Sequence, residues 1–555
     1  MIVPKHKINA FLNQPREDLH RYKRFSKAKL IRMKERLPVT PPIWKPLSQH
    51  QRVGFLASAK YKRLGLWFDT GTGKTFMSIA IGRYLRKLGN NKHFLVLVPA
   101  KTNCTEWGKQ FRKHSPNTSF KILHGSSKQK WEQLRDNPTL FTVTTYGGLM
   151  RMVCELQKAS KRGRGRKKKN HLVPSKELVK EMVSHFDGLF MDESTMVGSH
   201  QSLYFRICRQ ISKKATAVFA LSGTPFGKDP TPLWAQMYLV DKGETLGKTL
   251  GMMRAAFYSS KINSFSGFPE YTFMKRKQKE FRRFLRHRSI RYKANDADLP
   301  RAIPIPVDVR LPKDARSYFE EVRKLLISSH GNYRENKNAY LRARQISSGF
   351  LGYFDDEQGV KAKFEFPTNP KLEALINKIE FTNPEDKIVV FHEYIYSGDV
   401  ISKALKKAKI GYVRIKAGQK DDSAERDKFD NDPNCKVLVL SNSIGAYGLN
   451  LQVAQYLMYY ETPKSFILWK QTMARVQRQY SKHKKVFIYY FIVKGTYDQK
   501  ILDALKEGKN FFKMIMEGKR RKHKLDPARR KKKKQVGTWR KAEKPREKRK
   551  APRRA

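Results

Sequence analysis

The run Gly65-Leu66-Trp67-Phe68-Asp69-Thr70-Gly71-Thr72-Gly73-Lys74-Thr75 constrains this chain more than any other segment. A short apolar stretch stops at a glycine-rich loop. Beyond it, Phe76, Met77, Ile79, Ala80, Ile81, Tyr84, Leu85 and Leu88 recur at helical spacing until Gly89. A strand, a glycine loop and a helix in that order form a phosphate cradle. The loop Thr70-Gly71-Thr72-Gly73 can turn its N–H groups toward phosphate oxygens, and the helix start adds positive potential. Lys74 then reaches the outer phosphates of ATP, and the Thr75 hydroxyl helps to hold Mg2+. The plain signature has glycine six positions before the lysine, where this chain has Phe68. A coincidental turn is therefore the alternative, and the rest of the chain must decide.

Charge narrows the partner. The 555 residues hold 116 Lys and Arg against 49 Asp and Glu, a formal charge of +67. Such an excess calls for a polyanion, and nucleic acid is favoured over a membrane because no window holds the roughly 18 apolar residues of a spanning helix. Residues 519–555 contribute 20 basic residues and three acids, so they cannot build a core and are expected as a disordered basic tail that adds phosphate affinity. Lys158 to Lys169 reads as a second basic run, inserted as a surface loop. The cysteines, Cys104, Cys154, Cys208 and Cys435, lack metal-site spacing and read as reduced thiols of an intracellular protein.

Short β-like runs alternate with helical patterns from about residue 44. The first series is Phe94–Val98, Leu140–Thr144, Leu189–Met191 and Val218–Leu221. A second follows Pro370: Ile388–Phe391, Gly411–Ile415, Lys436–Leu440, Gln455–Tyr460 and Val486–Ile492. Small or polar residues follow the strands of the first series, as in parallel α/β sheets with ligands at the strand C-ends. The expected division is a basic extension (1–40), a first lobe (41–250), a basic helical bridge (251–365), a second lobe (366–516) and the tail (517–555).

Chemistry concentrates at a few strand ends. Phe186–Met191 runs into Asp192-Glu193; beside a phosphate loop, Asp192 would hold the metal through its water shell and Glu193 would polarise the attacking water. A solvated pair of acids is the alternative. Arg475 and Arg478, three apart, share one helix face and could stabilise charge on a departing phosphate; a solvated basic face is the alternative there.

Taken in order, these segments resemble superfamily-two helicases, and within them the Swi/Snf-like DNA-dependent ATPases of bacterial or phage type. Leu47-Ser48-Gln49-His50-Gln51 is similar to the family's adenine-reading segment, with Gln51 as reader. Val96-Leu97-Val98-Pro99, continued through Lys101 to Trp107 and Phe111, and Val143-Thr144-Thr145-Tyr146 resemble its DNA-facing segments. Leu221-Ser222-Gly223-Thr224-Pro225-Phe226 resembles its coupling motif. Ser441 to Leu451, with Ser443, Gly448 and Asn450, resembles its glycine-rich segment facing DNA and nucleotide. Gln471 to Gln479 resembles its arginine-finger motif, with Arg478 as principal finger and Arg475 on phosphate or between the lobes. One departure stands out: the family commonly follows the acid pair with Ala-His or Gly-His, whereas here Ser194-Thr195 follows. Coupling would then rest on Thr195 or on other contacts.

The resemblance implies an α/β protein of two RecA-like parallel-sheet lobes, using ATP and Mg2+ to translocate along duplex, forked or branched DNA as a monomer. Its expected setting is the bacterial nucleoid, or a nucleus if the host has one. The alternatives are an RNA helicase, the motor of a restriction system, or a basic nucleic-acid-binding protein with an inactive ATPase fold.

Overall fold

The computed structural model describes residues 3–157, 171–226, 229–262, 269–293, 299–328, 341–355, 360–416, 419, 423–445, 449, 451–463, 465–478 and 481–517. The 158–169 run, Gly448, Asn450 and the 519–555 tail lie outside them. The strands are β1 (Arg63–Phe68), β2 (Phe94–Val98), β3 (Phe120–Ile122), β4 (Phe141–Thr145), β5 (Cys154–Gln157), β6 (His171–Pro174), β7 (Gly188–Met191), β8 (Ala217–Leu221), β9 (Tyr258–Ile262) and β10 (Pro269–Phe273). They continue as β11 (Ser289–Tyr292), β12 (Arg301–Val309), β13 (Phe350–Asp355), β14 (Val360–Glu365), β15 (Ile388–His392), β16 (Tyr412–Ile415), β17 (Val437–Ser441), β18 (Tyr456–Tyr459) and β19 (Lys485–Val493).

Two parallel sheets, one per RecA-like lobe, carry the architecture. The first has the order β11-β1-β8-β7-β2-β4-β3 and the second β12-β19-β18-β15-β17-β16. Every pairing within them is parallel. The central strands are continuous apolar runs because both faces are covered. In β2, Leu95 and Leu97 pack into the core on one face, and Phe94, Val96 and Val98 into the core on the other. The remaining strands pair off as hairpins β5–β6, β9–β10 and β13–β14.

Residues 251–365, expected as a helical bridge, also supply one strand to each sheet: β11 beside β1, and β12 beside β19. Pro304 and Pro306 lie within β12, which pairs on one side only. At a sheet edge, alternate N–H groups point away from the partner, so proline is tolerated there. The N-terminal extension is likewise part of the first lobe. Leu19, Tyr22 and Leu30 are buried in its core, and the Leu19 amide donates to the Arg286 carbonyl at 3.0 Å.

β11 ties this extension to the phosphate-loop segment. The Arg291 guanidinium, only 7% exposed, pairs with Asp69 at 2.7 Å. It also donates to the Trp67 carbonyl at 3.2 Å, and the Arg291 amide donates to His20 Nε2 at 3.3 Å. Arg291→Met would strip Asp69 of this partner. Because the Asp69 side chain is 25% exposed, we expect a loss of about 2 kcal/mol, below the roughly 3–5 kcal/mol of a fully buried pair. Denaturant unfolding measures it; unchanged stability would show that the loop stands without β11.

His20 adds a pH dependence. Burial, and then Arg286, hold its pKa down to about 3, whereas the unfolded imidazole takes its proton near pH 6.5. The neutral ring's contribution is therefore complete above pH 6.5 and is lost as pH falls from there toward 3. Melting curves at pH 7 and pH 5 should show a larger drop for the wild type than for His20→Asn.

Candidate functional site

The phosphate-loop residues predicted from sequence sit where β1 meets the helix Lys74–Lys87. Gly71 and Gly73 have φ of +83° and +77°, a region that favours glycine. A Cβ on Gly73 would lie 2.1 Å from Gln51 Nε2, so the close approach of that amide also needs glycine. Gln51 serves the loop in two ways. It completes the capping box of the helix Gln49–Tyr61, with Oε1 accepting from the Ser48 amide at 2.9 Å. Its Nε2 donates to the Thr72 and Gly73 carbonyls at 3.2 and 3.3 Å. The side chain expected to read adenine is thus also a strut for the loop. The Thr72 hydroxyl donates to the Asp69 carbonyl at 2.6 Å, closing the turn.

Lys74 folds back so that Nζ donates to the Phe68 carbonyl at 2.8 Å. Burial lowers its pKa, while Glu193, Asp192 and Asp69 oppose that and Arg475 adds to it. Asp192 and Glu193 arrive from the C-end of β7, two strands away in the sheet. Glu193 is 5% exposed and takes left-handed backbone geometry at φ +44°. Burial raises its pKa most, opposed first by Lys74. The Ser222 hydroxyl, at the end of the intervening β8, donates to Glu193 Oε2 at 3.1 Å. Gly223 abuts Thr70: a Cβ there would come within 2.9 Å of the Thr70 amide nitrogen. Sequence reading placed Ser222 in a coupling turn but not on the acid, since the contact depends on strand order.

The second lobe closes the site. Arg475 lies on the helix Phe466–Val476, but Arg478 lies two residues beyond its end, a correction to the shared helix face expected from their spacing, because Gln477 leaves helical geometry at ψ +85°. Both line one cleft of about 470 Å³ with Thr70, Gly71, Gly73, Lys74, Thr75, Asp192 and Glu193. A Cβ on Gly71 would stand 3.6 Å from Arg478 Cα, so the loop and the second lobe touch. Burial, and then the Arg475 charge, push the Arg478 pKa down. Gln452, Glu106, Pro46 and the ring pair Phe76–His114 line the cleft as well, with those ring centroids 4.4 Å apart. Sequence reading gave none of these five a place in the site; Phe76 was read only as part of its helix's apolar face, and it is buried at 8% exposure.

The residues fit a magnesium-bound nucleoside triphosphate. Thr75 and Asp192 offer hard oxygen donors, and no cage of three or more His, Cys, Asp or Glu exists among the described residues. Magnesium in such sites takes few protein ligands and leaves the others to phosphate and water.

The predicted nucleic-acid contacts separate. Lys101 and Ser443 are exposed. Thr145 caps the helix Tyr146–Val153, its hydroxyl accepting from the Gly148 amide at 2.8 Å. Thr144 is only 1% exposed and its side chain does not reach the surface, a correction to its reading as a contact. Both faces of β4 are covered, so Thr142 and Thr144 on one face are as buried as Phe141 and Val143 on the other. Nearby Lys130, missed in the sequence, is buried at 9% exposure; burial, then Arg151 and Lys101, lower its pKa. A cation held there among like charges suits a phosphate. The departure at Ser194-Thr195 also resolves: Ser194 donates to Gln236 Oε1 at 2.8 Å, and Thr195 to the Glu193 carbonyl at 3.4 Å.

Comparisons with known proteins follow the lobes. Residues 33–227 match the family described as type III restriction enzyme, res subunit. Residues 370–480 match the helicase conserved C-terminal domain. The chain is 30% identical to the DNA repair protein rad8 of Schizosaccharomyces pombe over 25% of its own length, a match that spans 13% of that protein. It is 23% identical to a putative protein p41 of Acyrthosiphon pisum secondary endosymbiont phage 1, over 83% of this chain and 96% of that one. The Sulfolobus solfataricus SWI2/SNF2 ATPase core, solved in complex with dsDNA, aligns at 20% identity and a TM-score of 0.36, covering 86% of this chain and 94% of that one. No described helix is long and apolar enough to cross a membrane. The two family matches fall on the two lobes in order, so the first lobe is similar to the res subunit of type III restriction enzymes and the second to the helicase conserved C-terminal domain.

Proposed function

We propose that this protein is a nucleic-acid-stimulated ATPase that converts ATP hydrolysis between its lobes into movement along DNA. One observation carries the reading: Lys74, Asp192 and Glu193 of the first lobe share a single cleft with Arg475 and Arg478 of the second. Lys74 would neutralise the outer phosphates. Glu193, made more basic by burial and oriented by Ser222, would take a proton from the attacking water. Arg478, and with it Arg475, would stabilise charge on the departing phosphate, the role of an arginine finger. Magnesium, held by Thr75 and Asp192, would offset phosphate charge.

Movement follows from two-state logic. A nucleotide bridging both lobes favours closure, and hydrolysis removes the bridge. Lys101, Lys130 and Arg151 on the first lobe and Ser443 on the second would hold the backbone, so binding is sequence-tolerant and salt-sensitive. DNA is favoured over RNA because the similar proteins include ones named for DNA repair.

Steady-state ATPase assays with duplex, single-stranded and forked DNA and with RNA test the reading. We expect DNA stimulation, a loss of about 10²–10⁴-fold in Glu193→Gln with nucleotide binding retained, and a loss of about 10³-fold or more in Arg478→Ala. Stimulation by RNA alone would make the protein an RNA helicase. No turnover despite tight binding would make it a nucleic-acid-binding protein with a silent ATPase fold.

A further inference from the structure

Two elements from the nucleic-acid-facing side of the first lobe end on the same aspartate. The helix Lys101–His114 starts at exposed Lys101 and carries Trp107, which is 1% exposed. The indole Nε1–H donates to Asp192 Oδ2 at 3.0 Å. The helix Tyr146–Val153 starts directly after Thr145, and its buried first residue, Tyr146, donates its hydroxyl to the Asp192 carbonyl at 3.0 Å. The remaining carboxylate oxygen, Oδ1, accepts from the Glu193 amide at 3.0 Å. Each carboxylate oxygen therefore accepts one N–H from the protein and keeps acceptor capacity for a metal or its water.

We propose that Trp107 and Tyr146 are positioning residues that couple the nucleic-acid face of the first lobe to Asp192, Trp107 at its carboxylate and Tyr146 at its backbone carbonyl. The Thr195 hydroxyl, which follows the acid pair, turns back to the Glu193 carbonyl beside it. The proposal rests on the ATPase reading above and adds the route of its regulation. The physical basis is the rigidity of both donors. Trp107 and Tyr146 are buried rings without flexible tails, so a shift of either helix start moves the donor with it. Hydrogen bonds weaken steeply with distance and angle, and a displacement near 1 Å at a reacting centre is costly to rate.

The test is thermodynamic linkage, read by binding as well as by turnover. Affinity for a fluorescent, non-hydrolysable ATP analogue with magnesium is measured with and without a saturating DNA duplex. DNA affinity is measured with and without the analogue, and both are repeated in Trp107→Phe and Tyr146→Phe. In the wild type each ligand should tighten the other by the same factor, about 5-fold or more. In either variant that factor should fall toward one, with the melting temperature near wild type and DNA-stimulated turnover reduced about 10-fold or more. Wild-type linkage in both variants would overturn the proposal. Loss of melting temperature and of both separate affinities in parallel would assign the two residues a structural role and also overturn it. A wild type without linkage and without DNA-stimulated turnover would instead overturn the ATPase reading on which the proposal rests.

Discussion

The whole site depends on one charged cluster held out of bulk water. Lys74 lies among loop carbonyls with Asp192 and Glu193 facing it, and burial pushes the lysine pKa down and the glutamate pKa up. Neither charge is comfortable alone, because an unpaired buried ion costs several kcal/mol. Each makes the other tolerable, provided the chain brings the C-ends of β1 and β7 to one edge. The sheet order β1-β8-β7 does this. It also sets β8 between them, where Ser222 reaches Glu193 and Gly223 lets the loop come close.

The second lobe adds the opposite imbalance. Arg475 and Arg478 sit side by side, and the Arg475 charge helps to lower the pKa of its neighbour. Two adjacent guanidiniums facing a lysine make a pocket that gains most from a polyanion. In electrostatic terms the lobes are two incomplete halves of a phosphate site.

Much of this was legible in the chain. Phe94–Val98 reads as a buried parallel strand and is one, since five consecutive apolar residues leave no face for water. Leu140–Thr144 is shifted by one residue to Phe141–Thr145, an ordinary boundary effect. The strands β11 and β12 were not legible. One carries Arg291, an unusual residue for a buried strand, and the other holds Pro304 and Pro306. Both signals argue against strand until an ion pair with Asp69 and an edge position account for them. Thr144 and Thr145 show the same limit at the site. A motif names both, but both faces of β4 are covered, which buries the first, and the second is engaged in capping a helix.

The sequence by itself determined which side chains the candidate site would hold: a lysine and a threonine after a glycine loop, an acid pair after an apolar run, and two arginines three residues apart. These are local patterns, set by backbone propensity and side-chain periodicity over a dozen residues. Only the tertiary structure decided how the groups meet. The contacts of Trp107 and Tyr146 with Asp192, of Ser222 with Glu193, of Arg291 with Asp69 and of Arg478 with Gly71 join residues distant along the chain. Their pairing is set by strand order and lobe docking. Burial then sets the strength of each charge, because the surrounding protein replaces water as the medium in which it acts.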